Sequence, residues 1–203
     1  WYSYYLVEFA GINKETGVPQ YYINDPAQPG SRDITEDYTA ATRILYKSAD
    51  PKLVGGFTNT FRYKFLDLNF TWTYSLGGNS YDNAAQKTEL GGKTGYDNIP
   101  KYYERRWQKP GDETDIEMFM VGNKYDMSSV ANTRRVHSTD HIRLKNLTFG
   151  VSIPQHISRR LKVSNIRAFC SGMNLLTFAA YKNYDPEVPV NGTVYFILKI
   201  QNY

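Results

Sequence analysis

Apolar and polar side chains alternate along residues 61–78, FRYKFLDLNFTWTYSLGG. A period of two predicts an extended strand with two chemically different faces. The polar positions in the strand are aspartate, asparagine, threonine and serine. The apolar positions are Leu66, Leu68, Phe70, Trp72, Tyr74 and Leu76. These six side chains pack either into the core of a soluble sandwich or against lipid, and the alternation alone does not distinguish the two.

Similar patterns predict six further strands, several of them about ten residues long, the length that a tilted strand needs to cross a bilayer. The seven predicted strands, including the first, occupy residues 2–10, 19–24, 57–64, 66–76, 142–153, 165–174 and 194–203. Helix signals are scarce, and one short helical turn is predicted at 155–161, directly after Pro154.

The connections between these strands alternate in length. Short ones lie at 11–18, near Phe65 and at 154–164, and long ones at 25–56, 77–141 and 175–193. Alternate connections of an antiparallel meander lie at opposite ends of the sheet, so all the long ones share one end. Short turns at one end and long loops at the other are typical of outer-membrane barrels. We therefore predict an all-β antiparallel meander that forms part of a transmembrane β-barrel with long extracellular loops, its six apolar side chains facing lipid. The alternative is a secreted β-sandwich module that binds glycans.

Composition narrows the classes further. Aromatic residues make up 15% of the 203 residues, which excludes a disordered chain. The mean hydropathy is −0.56, and no apolar run is long enough for a membrane helix, which excludes a helical membrane protein. The net charge of +4 is mild and its basic residues are dispersed, so no nucleic-acid partner is expected. Because the chain begins with Trp1, we expect it to be a piece of a longer protein.

Candidate catalytic and metal motifs are weak. His137 and His141 in HSTDH lack the glutamate of the zinc-protease motif, and the acidic stretch 112–118 follows no calcium-loop spacing. The single Cys170 has no partner for a disulfide or a metal site. No spacing argues for a nucleophilic triad either. We expect no metal, no cofactor and no enzymatic activity.

One loop could contact a ligand. Residues 96–113 combine aromatic rings, which can stack on sugar faces, with guanidinium groups, which can donate hydrogen bonds. The candidate ligand-binding residues are Tyr102, Tyr103, Arg105, Arg106 and Trp107. The alternative is that the rings pack the loop itself, because a loop of this length needs a small core of its own.

Three stretches resemble a known family. They are GGFTNTFRYKFLDLNFTWTYSLGGNSYD (55–82), IRLKNLTFGVSIP (142–154) and NIRAFCSGMNLLTFAAYKNYDPEV (165–188), and AGINKETGVPQYY (10–22) and DPKLVGGF (50–57) fit in the same order. Together they resemble the carboxy-terminal barrel segment of SusC/RagA-type TonB-dependent transporters.

The resemblance implies an outer-membrane barrel of about 22 strands with an amino-terminal plug, in a Gram-negative bacterium. Such proteins import oligosaccharides or peptides with a SusD-like surface lipoprotein, driven by TonB. Residues 1–203 would be the carboxy-terminal portion of the barrel, with about seven strands and no plug, so TonB would act through the missing amino-terminal part. The tail departs from the family, because Lys199 and Gln201 share the parity of Tyr203, which favours a shifted last strand.

Overall fold

The computed structural model describes residues 3–25, 27, 30–89, 99–120, 130–160, 163–164 and 166–187. The chain forms two compact units. The first comprises the described residues within 3–49 and 80–137, and the second comprises the described residues within 50–79 and 138–187. None of the helices in these described ranges is long and apolar enough to cross a membrane.

Short strands in small sheets characterise the first unit. These strands are β1 (Ser3–Val7), β2 (Phe9–Ile12), β3 (Pro19–Ile23), β4 (Asp33–Thr35) and β5 (Arg43–Ser48). Strand β1 pairs with β5, and β2, β3 and β4 form a three-stranded antiparallel sheet.

The remaining elements are β6 (Leu53–Tyr63), β7 (Leu66–Leu76), β8 (Asn79–Tyr81), α1 (Asn83–Thr88), the 3₁₀ helices Lys101–Arg105 and Thr133–Arg135, β9 (Val136–Ser138), β10 (His141–Ser152), α2 (Gln155–Arg160) and β11 (Arg167–Ala179). Of these, β8 pairs with β9.

Two predicted strands therefore have a different role from the one expected. Segments 2–10 and 19–24 do form strands, but in these small sheets and not in one meander with the long strands. The first segment breaks at Glu8, and no strand of the first unit in the described ranges exceeds six residues. The predicted long connection 25–56 likewise contains β4, β5 and the beginning of β6. The predicted strand 194–203 lies outside the described residues.

The core of the first unit is built from side chains that are distant in sequence. Tyr21 contacts the rings of Phe9 and Tyr38 in edge-to-face geometry, with centroids 6.2 and 5.4 Å away. Such ring pairs add to the stabilisation that apolar burial supplies. The other buried apolar side chains include Val7, Val18, Tyr103, Ile116 and Val136.

The second unit is a four-stranded antiparallel sheet with the order β6-β7-β10-β11. Its strands are 11, 11, 12 and 13 residues long. Residues 64–65 and 153–166 make the connections at one end, and residues 77–140 make the connection at the other. The predicted segregation of short and long connections is thus present in this sheet, and the predicted helical turn is α2, inside the second short connection.

Register brings most apolar positions of the four strands onto one continuous face, whereas Phe169 and Met173 of β11 lie on the opposite face. Leu68 lies opposite Phe61 on β6 and Phe149 on β10, and Phe149 lies opposite Cys170 on β11. No residue of β7 is buried, although the strand is central. Exposed fractions on this apolar face reach 57% for Phe61 and 64% for Phe178. The sheet thus has no second layer covering its apolar face among the described residues.

A pair of β-bulges keeps this face continuous. Leu144 lies opposite Trp72 and Leu147 opposite Phe70, so β10 takes three steps where β7 takes two, and Lys145 is the extra residue. Strand β11 is also bulged. Between Met173 and Leu176, which lie opposite Asn146 and Leu144, it has one residue more than β10. This bulge includes Asn174, whose φ is +52°. A bulge shifts the alternation by one residue, which returns the later apolar side chains to the same face.

The opposite face is mostly polar, and hydrogen bonds between side chains link its strands. Hydroxyls of Thr58 and Thr71 lie 2.8 Å apart, and Asn69 Nδ2 donates to Thr60 Oγ1 at 2.7 Å. Arg167 on β11 reaches across β10 to Asp67 on β7, with Nη2 2.5 Å from Oδ2. Gly150 lies beneath this ion pair, and a Cβ there would come within 2.6 Å of both side chains. These contacts tie β7 to its neighbour β6 and, across β10, to β11 on the polar face.

Candidate functional site

The structure describes residues 99–113 of the predicted ligand loop 96–113, and they pack within the first unit. Tyr102 and Tyr103 lie on the 3₁₀ helix Lys101–Arg105, with their ring centroids 5.9 Å apart. Tyr103 is fully buried, and its hydroxyl donates to Glu117 Oε1 at 2.7 Å. The Tyr102 hydroxyl donates to a carboxylate oxygen of Glu89. Both phenols are thus turned towards the interior of the unit.

Their acceptors belong to a buried cluster of four charges. Arg135 contacts Glu89 Oε2 through Nη2 at 3.0 Å, and Arg134 contacts Glu117 Oε2 through Nη1 at 3.0 Å. Arg134 also lies 3.8 Å from Glu89. Two carboxylates and two guanidinium groups balance in charge, as burial of ionised groups requires.

The cluster fixes the protonation of the groups around it. Burial and the neighbouring Glu117 raise the pKa of Tyr103, and burial and the Glu89 carboxylate raise the pKa of Tyr102. Burial opposes the charge on Arg134, yet the two glutamates raise its pKa. Both phenols therefore remain neutral hydrogen-bond donors, and the arginine remains charged. No sequence motif marks this cluster, because Glu89, Glu117 and the arginine pair are far apart in sequence and carry no shared local signal.

Trp107 is held by the hairpin between β2 and β3. Its indole Nε1 donates to the carbonyl of Lys14 at 2.8 Å, and the Lys14 ammonium pairs with Glu113. Its ring covers Gly17, where a Cβ would come within 2.5 Å of the ring atoms. Gly17 has φ of +70° and accepts a backbone hydrogen bond from Met118 at 3.0 Å. Two chain segments about ninety residues apart are thus locked together.

The two arginines of the predicted site are nearer to solvent. Arg105 is exposed, and its carbonyl accepts a hydrogen bond from Thr114 Oγ1 at 2.7 Å. The guanidinium of Arg106 lies 5.7 Å from the ring centroid of Phe119, which is 41% exposed. The geometry of Tyr103 and Trp107 favours the packing alternative for these two rings. Ligand binding by the loop stays a prediction.

The HSTDH motif is spread over two strands. His137 lies in β9 and His141 begins β10. Burial lowers the pKa of His137. His141 Nδ1 lies 2.8 Å from the Thr139 carbonyl, and its Nε2 is 3.7 Å from Glu187 Oε1. Among the described residues, no group of three or more potential metal ligands comes together.

A second cluster of charges lies on the polar face of the four-stranded sheet. Arg143 Nη2 contacts Asp185 Oδ1 at 2.7 Å, and Nη1 contacts Glu187 Oε2 at 2.7 Å. Lys145 Nζ also lies 2.5 Å from Glu187 Oε2. The Arg143 side chain is only 6% exposed. Residues that follow β11 thus fold back onto β10.

These features define a class of structure, namely a single-layer antiparallel sheet with one apolar and one polar face, as in the wall of a membrane β-barrel.

No family model matches the chain. Curated proteins, however, are similar to it in sequence. The chain is 29% identical over 192 residues to TonB-dependent receptor P3 of Formosa agariphila and 26% identical over 144 residues to TonB-dependent receptor P26 of the same organism. These matches cover 91% and 71% of the chain, and 18% and 14% of the relatives.

Solved structures give the same result. The RagAB peptide transporter is 30% identical, with a TM-score of 0.72 over 91% of this chain and 20% of that one. The RagAB peptide importer in its "closed-closed" state is 32% identical, with a TM-score of 0.74 and the same coverage. The resemblance to TonB-dependent receptors of the RagA type is confirmed, and the all-β fold matches part of that barrel. The chain spans about a fifth of the length of these proteins.

Proposed function

We propose that the chain forms part of the wall of an outer-membrane, TonB-dependent importer of a Gram-negative bacterium. The observation that carries the proposal is the four-stranded sheet, whose apolar face is uncovered and whose polar face is hydrogen-bonded between strands. In the proposed arrangement the apolar face contacts lipid and the polar face lines the lumen. The similarity to TonB-dependent receptors supports this assignment.

The length of the strands supports the lipid contact. Strand β7 has eleven residues, which at about 3.4 Å per residue span about 34 Å. A tilt of about 45° reduces this to a height of about 24 Å, close to the apolar band of about 25 Å around membrane barrels. Trp72 and Tyr74 lie towards the end with the long connection, where an aromatic girdle would meet the interface. Tyr74 also covers Gly55 on β6, where a Cβ would come within 2.5 Å of its hydroxyl oxygen.

The substrate and partners follow as finer parts of the proposal. Relatives named as peptide transporters favour peptides over oligosaccharides as the imported class. A SusD-like lipoprotein would cover the end with the long connections, and TonB would act through a part of the protein outside this chain. The alternative of a secreted β-sandwich is not favoured, because it requires the apolar face to be buried, whereas Phe57 and Phe61 are more than half exposed.

A transport assay tests the proposal. Deletion of the gene that encodes the chain should abolish uptake of fluorescein-labelled casein peptides, and a plasmid copy should restore it. A protonophore should stop the restored uptake, because TonB-driven import depends on the proton gradient. Labelled maltodextrin provides the oligosaccharide arm. Unchanged uptake of both compounds in the deletion strain would refute the proposal.

A further inference from the structure

Asp185 and Glu187, which follow β11, lie on the polar side of the four-stranded sheet. Arg143 is opposite Thr73 on β7 and Thr177 on β11, which places it among the polar positions. Its guanidinium binds both carboxylates, so the segment that carries them lies over β10 on the polar face. We call residues 180–187 the strap.

Contacts at both ends hold the strap. At its beginning, the amide of Ala180 donates to the Asp140 carbonyl at 2.9 Å. At its end, Arg143 and Lys145 are matched by the two carboxylates, and the amide of Glu187 donates to Asp185 Oδ1 at 3.0 Å. Because Arg143 is buried and belongs to a strand of the sheet, its own position is fixed, and it holds the strap in place. Arg143 is therefore a positioning residue.

The rest of the strap presents a different chemistry. Tyr181 and Tyr184 form an edge-to-face pair with centroids 5.1 Å apart, and Asn183 Nδ2 donates to the Tyr181 hydroxyl at 2.7 Å. Lys182 and Asn183 are exposed. The acidic charges of the strap are balanced by the wall, so its free surface offers an ammonium group, an amide and aromatic edges. Carbonyl and carboxylate oxygens are suitable acceptors for such a surface.

We propose that the strap is a ligand-contact surface on the lumen side of the wall, and that the ligand class it contacts is peptides. The inference rests on the proposed function, which makes the polar face part of the import pathway. It goes beyond that function by assigning the contact to Lys182, Asn183 and the tyrosine pair, with Arg143 and Lys145 as positioning residues. A peptide supplies backbone carbonyls and a terminal carboxylate for the polar groups, and apolar side chains for the rings.

Cysteine protection in the full-length transporter tests the inference. Ala180→Cys, at an exposed strap position that leaves the assigned contact side chains in place, is introduced with Cys170→Ser. Intact cells are then labelled with a charged, membrane-impermeant maleimide. A casein digest should slow the labelling rate several-fold, whereas a maltodextrin mixture should leave it unchanged. The matched control is Phe178→Cys on the apolar face, which should resist the reagent with or without the digest. Arg143→Gln should remove the protection of Ala180→Cys, and Arg143→Lys should restore part of it.

The outcomes separate this inference from the proposed function. If the parent strain imports casein peptides but the digest does not slow labelling, the strap is not a contact surface. Absence of labelling at Ala180→Cys without any digest would also overturn the inference, because the strap would then lie outside the aqueous pathway. Protection by maltodextrin alone would refute the peptide class. Failure of the parent strain to import either compound would instead refute the proposed function.

Discussion

Phe70 gives a sharp test of how the two faces of the sheet differ. Its side chain lies on the apolar face, with ring centroids 6.5 Å from Phe57 and 6.0 Å from Phe61. The preceding residue in the same strand, Asn69, is on the polar face. We predict that Phe70→Lys severely destabilises the protein in a membrane, whereas Asn69→Lys does not, although the two changes are adjacent in sequence.

The expected magnitude follows from the depth of Phe70. It is four residues from the beginning of β7, or about 14 Å along the strand and about 10 Å in depth at a tilt of about 45°. That position is close to the middle of the apolar band, where a lysine costs about 2–4 kcal/mol. Loss of the two ring contacts adds about 1–3 kcal/mol. Asn69→Lys loses one exposed hydrogen bond and should change stability by about 0.5 kcal/mol or less.

The assay is folding of the full-length transporter into phospholipid vesicles, followed during urea titration by the gel mobility of unheated samples. Leu76→Lys serves as a second control, because it lies at the end of the strand and should cost about 1 kcal/mol or less. Equal destabilisation by Phe70→Lys and Asn69→Lys would refute the reasoning, since it would mean that both faces are equally sensitive to charge.

Two further changes probe the charged clusters. Tyr103→Phe removes the buried hydrogen-bond donor to Glu117. It should lower the free energy of unfolding by about 1–3 kcal/mol, measured by the same urea titration. An unchanged free energy of unfolding would mean that this hydrogen bond contributes nothing to stability. Partial burial opposes the charge on Asp185, but hydrogen bonds from Arg143 and from a backbone amide lower its pKa below 3.8. Its contribution is therefore present above that pH and lost as the pH falls further. The protection factors of the strap amides, which correct each exchange rate for its intrinsic pH dependence, should therefore fall under acid. In Arg143→Gln these protection factors should change little between neutral and acid pH, which checks the cause.

Sequence patterns predict the four-stranded sheet well. Strand β7 has the bounds that its alternation predicts, and the direction of the connections follows from their lengths. The apolar positions of β10 change parity between Leu144 and Leu147, which is the sequence signal of the bulge at Lys145. Period-two patterns are informative here because each face of this single-layer sheet has one environment along its whole length.

The first unit and the candidate site were less predictable. Segments 2–10 and 19–24 alternate like the long strands, but their partners are short strands whose patterns are too brief to recognise. Glu89 and Arg135 meet in the buried cluster although they are 46 residues apart. The strap depends on contacts between residues 143 and 185–187. Pairs of residues so far apart in the chain produce no recognisable motif in a single sequence.

The most direct test of the central claim, that the apolar face of β7 contacts lipid, is a spin-label scan of residues 66–76 in the full-length transporter in liposomes, with Cys170 replaced by serine. Collision rates with oxygen report exposure to lipid, and collision rates with a nickel chelate report exposure to water. We predict oxygen maxima at the six apolar positions, with nickel-chelate maxima at the five residues between them. Low collision rates with both reagents at the apolar positions would mean that protein covers this face, and would contradict the account.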